Sequence, residues 1–169
     1  MKTLLRTELF NASPVEAFHI LGELGVTGTH ITNSSAMMPG SKQNLQYLTV
    51  HRTGLDSSYR WTGKMMGLPM DFTVKVMKWL EGKDKIWETI GETRLIIYFW
   101  HRMFLSVSAV ESGAKAKLSI SYEKPTGFLN RVLSFLFANW YCRWCLKKML
   151  DDAKQALQNR KKREKYYVA

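Results

Sequence analysis

The chain has 169 residues, enough for one domain with a core of its own. Hydrophobic residues make up 46% and charged residues 23%, which excludes a disordered or low-complexity chain. Lysine and arginine exceed aspartate and glutamate by 25 − 14 = 11, so the surface favours anionic partners: a phospholipid face, nucleic acid or an acidic protein.

The cysteines are Cys142 and Cys145 alone, which implies no disulfide framework and fits a reducing compartment. The opening "MKTLLRTELFN" is interrupted by Arg6 and Glu8 and does not read as a signal peptide. No charge-free apolar run is long enough to span a bilayer. The expected location is cytoplasmic, with peripheral contact at a membrane.

"TLLRTELF", residues 3–10, reads as a first strand. In "NASPVEAFHILGEL", Ser13 is an N-cap, Pro14 suits the first helical position and Glu16 completes a capping box, so a short helix runs from Pro14 to about Leu24. Gly22, Gly25 and Gly28 then loosen the chain, and residues 29–44 hold turn formers with no clear period.

From Leu45 the pattern is that of strands. "LQYLTVHR" is one. "SSYRWTGKM" alternates, with Tyr59, Trp61 and Met65 on one side and Arg60, Thr62 and Lys64 on the other. "MDFTVKV" sets Met70, Phe72, Val74 and Val76 against Asp71, Thr73 and Lys75. "EGKD" is a hairpin turn. Alternation slips between Val76 and Lys85, which a bulge explains. "KIWETIGE", "RLIIYFWHRMFLSV" and "AKLSISYE" complete the strands, with "ESGA" as a turn; the last points Leu118, Ile120 and Tyr122 inward.

After Lys124-Pro125 the period is helical to about Asn159. One stripe, Phe128, Val132, Phe135, Asn139, Cys142, Leu146, Leu150, Ala153 and Leu157, has the spacing of a helix packed on a sheet. A second stripe, Leu129, Leu133, Leu136, Phe137, Trp140 and Trp144, widens the apolar arc of the first half to roughly 220°, against about 100° for an ordinary surface helix. A thicker core explains it, as does a surface that gates a cavity or docks on a membrane or partner. Asn139 lies inside the first stripe and Arg143 near its edge; strand carbonyls, or the polar head of a ligand, would satisfy them.

The inward set Trp61, Phe72, Trp87 and Phe99, with Met65 and Met70, reads as core, and also as an adaptable apolar pocket. His101 neighbours Arg102 on a strand, so one of the pair points in; acid or base work by His101 would need a substrate within reach. Glu88 and Glu92 share a parity but stand about 13 Å apart, which disfavours a two-carboxylate mechanism and leaves Glu88 as a weak single candidate. Cys142 and Cys145 sit in mid-helix without a nearby histidine motif, so packing outweighs redox or metal roles; no metal and no cofactor are expected. Residues 1–159 form the domain and 160–169 a basic tail that complements the helix dipole or attracts anionic lipid. No phosphate loop or nucleic-acid motif is present, and nucleic acid is not expected as a partner.

The opening "TELFNASPVEAFHILGE", the middle "YRWTGKMMGLPMDFTVKVMKWLEGKDKIWETIG" and the long final helix resemble the START/Bet v 1-like superfamily, also known as SRPBCC or polyketide cyclase/dehydrase and lipid transport proteins. The resemblance covers about residues 4–158 and carries fold better than activity. It implies an α+β helix-grip fold: a curved antiparallel sheet wrapped around the C-terminal helix, with a cavity between. The expected function is binding, and transport, of a hydrophobic, lipid-like small molecule. Trp61, Met65, Met70, Phe72, Trp87, Phe99, His101, Phe135, Asn139 and Arg143 would line the site. Leu129, Leu133, Leu136, Phe137, Trp140 and Trp144 would gate it or meet the membrane. The alternatives are a cyclase- or hydrolase-type enzyme acting in the same cavity, and a protein-interaction module with a filled core.

Overall fold

The computed structural model describes residues 1–28, 43–65, 68–95, 100–123, 127, 132 and 134–167, with backbone alone for Met65, Leu68 and residues 164–167. The strands are β1 (Lys2–Phe10), β2 (Gln43–Tyr47), β3 (Ser58–Met65), β4 (Leu68–Leu80), β5 (Asp84–Arg94), β6 (Trp100–Val110) and β7 (Gly113–Glu123). The helices are α1 (Pro14–Gly22), α2 (Leu24–Thr27) and α3 (Asn139–Tyr167), the last preceded by a π-helical turn, Ser134–Ala138.

All pairings are antiparallel, in the order β1-β7-β6-β5-β4-β3-β2, so the curved sheet is open between β1 and β2. Alternation places side chains as the sequence requires. Tyr59, Trp61, Met70, Phe72, Val74, Val76, Leu118, Ile120 and Tyr122 are all buried. The outer face carries ion pairs such as Arg60–Asp71, bidentate at 2.9 and 2.8 Å. The expected bulge lies at Met77: Val76 pairs with Trp87, and Lys78 already with Ile86. The extra residue turns Trp79 inward, where its ring meets Phe18 of α1 edge-on at 4.9 Å.

Ser13 caps α1, its Oγ accepting from the Glu16 N–H at 3.2 Å. The expected single helix to Leu24 is broken at Glu23, whose extended backbone separates α1 from α2. The second expected strand, "LQYLTVHR", is also shorter: β2 ends at Tyr47 and the chain turns back through residues 48–57.

Helix α3 packs its stripe Cys142, Leu146, Leu150, Ala153 and Leu157 into the core, and Lys154 ties it to Glu8 of β1 at 2.6 Å. The stripe does not continue as expected. Phe135 is 73% exposed and Val132 is exposed, while Ser134 and Ala138 are buried. The cause is the π-turn, which takes up one extra residue and so rotates Val132 and Ser134 by about 100° relative to an unbroken helix and carries Phe135 off the buried face. Ser134 occupies the place on the buried face that periodicity assigns to Phe135. At the other end the helix runs beyond Asn159, because "NRKKREKYY" holds good helix formers and no Gly or Pro. The basic residues Arg160, Lys161, Lys162 and Arg163 are thus helical and exposed, and Lys161 donates to the Asn11 carbonyl.

Candidate functional site

A hollow lies between the inner face of the sheet, α2 and α3. Its walls come from every layer: Trp61 of β3, Met70, Phe72 and Val74 of β4, Trp87 of β5, His101 and Met103 of β6, Ile120 of β7. Leu24, Thr27 and Gly28 close it from α2, and Tyr141, Cys145 and Met149 from α3. About 50 Å³ of it is open to the centres of water molecules, so the hollow is narrow as it stands. Gly28 is needed at the rim: a Cβ there would sit 2.7 Å from the Trp61 ring and 2.5 Å from the Leu24 carbonyl.

No carboxylate, lysine or arginine is among the described residues of this wall. Its polar groups are few. The Thr27 hydroxyl donates to the Glu23 carbonyl at 3.1 Å, within its own helix. Nδ1 of His101 lies 2.7 Å from Oγ1 of Thr89, which also accepts from the His101 backbone N–H at 3.3 Å. The Phe72 ring stands edge-on to the imidazole at 5.5 Å. Burial pushes the His101 pKa down to about 4, so the ring is neutral near pH 7. Burial, reinforced by Cys145 and Cys142, holds the Tyr141 phenol well above its usual range. Burial also raises the Cys142 thiol, and both cysteines are packed in the core with no disulfide between them.

Among the residues expected to line a site, Trp61, Met70, Phe72, Trp87 and His101 meet in this hollow. Phe135 does not: the π-turn expels it. Arg143 is exposed. Asn139 is half-buried, and its Oδ1, like Ser134 Oγ, is buried without a partner among the described residues. Glu88 stands on the opposite face of the sheet from the hollow, since its neighbours Trp87 and Thr89 point in; Arg102 holds it at 2.7 Å. That parity removes Glu88 as a candidate acid or base. Leu136, Phe137 and Trp140 are exposed, and Trp144 is half-buried with its ring tilted on Tyr141 at 5.8 Å. The side chains of Met65, Phe99, Leu129 and Leu133 lie outside the described residues.

A buried cation sits behind Trp87. Lys85 is 0% exposed, and its Nζ lies 4.7 Å from the Trp87 ring and 5.6 Å from those of Tyr59 and Trp79. It donates to the Gly22 carbonyl at 2.6 Å. Burial lowers its pKa to about 7.

No protein-family model matches the sequence, and no curated protein matches it closely enough to count. Solved structures do. TTHA0849 from Thermus thermophilus superposes with a TM-score of 0.66 at 14% identity, covering 92% of this chain and 99% of that one. The major latex-like protein 151 of Panax ginseng gives 0.60 at 13% identity, covering 92% and 96%. Norcoclaurine synthase from Thalictrum flavum, in complex with dopamine and hydroxybenzaldehyde, gives 0.61 at 13% identity, covering 94% and 87%.

The chain has the Bet v 1-like helix-grip fold. At these identities the likeness is one of architecture, and the Bet v 1-like frame accounts for the element order, the open curved sheet and the long helix across it. Within that frame the sequence pattern left several wall residues unseen. Tyr141, Cys145 and Met149 fall outside both stripes, on the flank of the first that lies away from the second. Lys85 was legible in part, because it shares strand parity with the buried Trp87.

Proposed function

We propose that this Bet v 1-like domain binds a small hydrophobic molecule in the hollow between its sheet and α3. The observation that carries the reading is the wall itself: apolar side chains from sheet, α2 and α3 converge on one space whose described lining holds no charged residue. Burying a guest there gains about 25 cal/mol per Å² of apolar surface. A lipid-like guest needs more room than the hollow offers at rest. Met70, Met103 and Met149 supply it, since unbranched thioether side chains repack at low cost. Neutral His101, itself part of the wall, orients a polar end by hydrogen bonding. Carriage follows from release at a peripheral membrane contact.

An enzymatic role is the weaker reading. A histidine with a pKa of about 4 is a poor general base at neutral pH, and no carboxylate stands beside it in the described wall.

The test is direct. Protein purified without detergent is denatured and its organic extract examined by mass spectrometry; in parallel, the refolded protein is titrated with N-phenyl-1-naphthylamine. A stoichiometric apolar compound that competes with the probe supports binding. An empty extract together with no probe fluorescence would reject it.

A further inference from the structure

The π-turn does more than shift a register. It turns Phe135 out of the core and sets it beside Leu136 and Trp140, which are 73%, 59% and 42% exposed. Leu136, Trp140, Arg143 and Lys147 follow at i, i+4, i+7 and i+11, the spacing of one helix face. Arg143 and Lys147 are exposed; Lys147 pairs with Asp151 at 2.6 Å, whereas Arg143 makes no ion pair among the described residues. The sequence around this face is one-signed. Between Glu123 and Asp151 it contains Lys124, Arg131, Arg143, Lys147 and Lys148, and no acidic residue.

We infer that this face is the surface on which the protein docks, lying flat, on an anionic phospholipid bilayer. It deepens the function proposed above and rests on it only for the purpose of docking, not for its occurrence. Aromatic and leucine side chains projecting beside cations are what an interfacial helix presents to a headgroup layer. No helix among the described residues is long and apolar enough to cross a membrane, so the contact is peripheral. A second copy of the chain fits the same face badly, because a two-fold contact would bring Arg143 and the neighbouring lysines of both copies together. The geometry also joins docking to the hollow. On one stretch of helix Leu136 and Trp140 face outward while Tyr141 and Cys145 line the cavity, so insertion of the outer side chains bears directly on one wall of the site.

The test uses vesicles of phosphatidylcholine, with and without phosphatidylglycerol, read by flotation. The wild-type chain should float with the mixed vesicles, weakly with phosphatidylcholine alone, and less as salt rises. The triple variant Phe135→Ser, Leu136→Ser, Trp140→Ser should lose about a hundredfold in partitioning. Arg143→Ala should lose about fivefold, on the mixed vesicles only. Both variants should keep the wild-type unfolding midpoint and naphthylamine binding, because the substituted side chains are exposed. Equal flotation of wild type and triple variant, or none by either, overturns the inference. So does a wild-type dimer by light scattering that the triple variant loses, since that makes a second copy the occupant. Vesicle binding with no naphthylamine binding leaves docking standing and removes the ligand reading instead.

Discussion

The ammonium of Lys85 on β5 donates to the carbonyl of Gly22 at 2.6 Å, across 63 residues of sequence. Gly22 is the last residue of α1, so the charge sits at the negative end of that helix. Three aromatic rings complete its surroundings. Burial nevertheless outweighs these contacts and lowers the pKa to about 7 from an ordinary value of 10.5.

That depression makes stability depend on pH. Below about pH 7 Lys85 is protonated in both the folded and the unfolded chain, and the cost of burying the charge is complete. Between about 7 and 10.5 the unfolded chain holds the proton and the folded chain does not, so stability rises with pH. Lys85→Met removes this slope. Relative to that variant, the wild type should gain on the order of 3 kcal/mol between about pH 6.5 and about pH 9.5 in urea unfolding. A constant difference across the range would show that the ammonium keeps its ordinary pKa.

His101 titrates lower on the scale. Its folded pKa of about 4 lies below the ordinary 6.5, so the folded chain is stabilised as pH rises from about 4 to 6.5 and weakens as it falls. Proton NMR should show one of the four histidines fixed in its neutral form above about pH 5. Thr89→Val, which removes the hydroxyl beside Nδ1, should cost about 1–3 kcal/mol of stability by leaving a buried polar group without that partner.

The hollow can be filled from the helix. Cys145→Leu adds side-chain volume at the wall and should lower naphthylamine affinity at least tenfold, with stability changed by less than about 1.5 kcal/mol. Gly28→Ala acts on the opposite rim and should be less tolerated. Its Cβ meets the Leu24 backbone, which cannot yield cheaply, and a loss of about 1–3 kcal/mol in unfolding is expected.

Glu88→Gln provides the control. The carboxylate pairs with Arg102 on the outer face, so the substitution should leave probe binding unchanged and alter stability by about 0.2–1 kcal/mol. A large change in binding would place Glu88 in the site after all.

How much of this was legible beforehand differs between sheet and helix. Alternation named the inward residues Tyr59 and Trp61 of β3, Met70, Phe72, Val74 and Val76 of β4, and Leu118, Ile120 and Tyr122 of β7, and its slip between Val76 and Lys85 called for a bulge, which lies at Met77. In the helix the same kind of reasoning held from Cys142 to Leu157 and failed at Phe135. An unbroken 100° step cannot foresee a turn that holds one residue more.

The sequence by itself determined the faces of β3, β4 and β7, the Ser13 cap and the terminal helix from Cys142 onward, because these follow from a period of two or 3.6 residues and from caps within one turn. Only the tertiary structure decided that a π-turn sends Phe135 outward and Ser134 inward, that Lys85 lies sealed against Gly22, and that Thr89 meets His101 across 12 residues. The physical reason is range. A pattern records what each residue does to its immediate neighbours, whereas a hollow, a buried charge and its pKa are set by groups that the chain brings together from far apart.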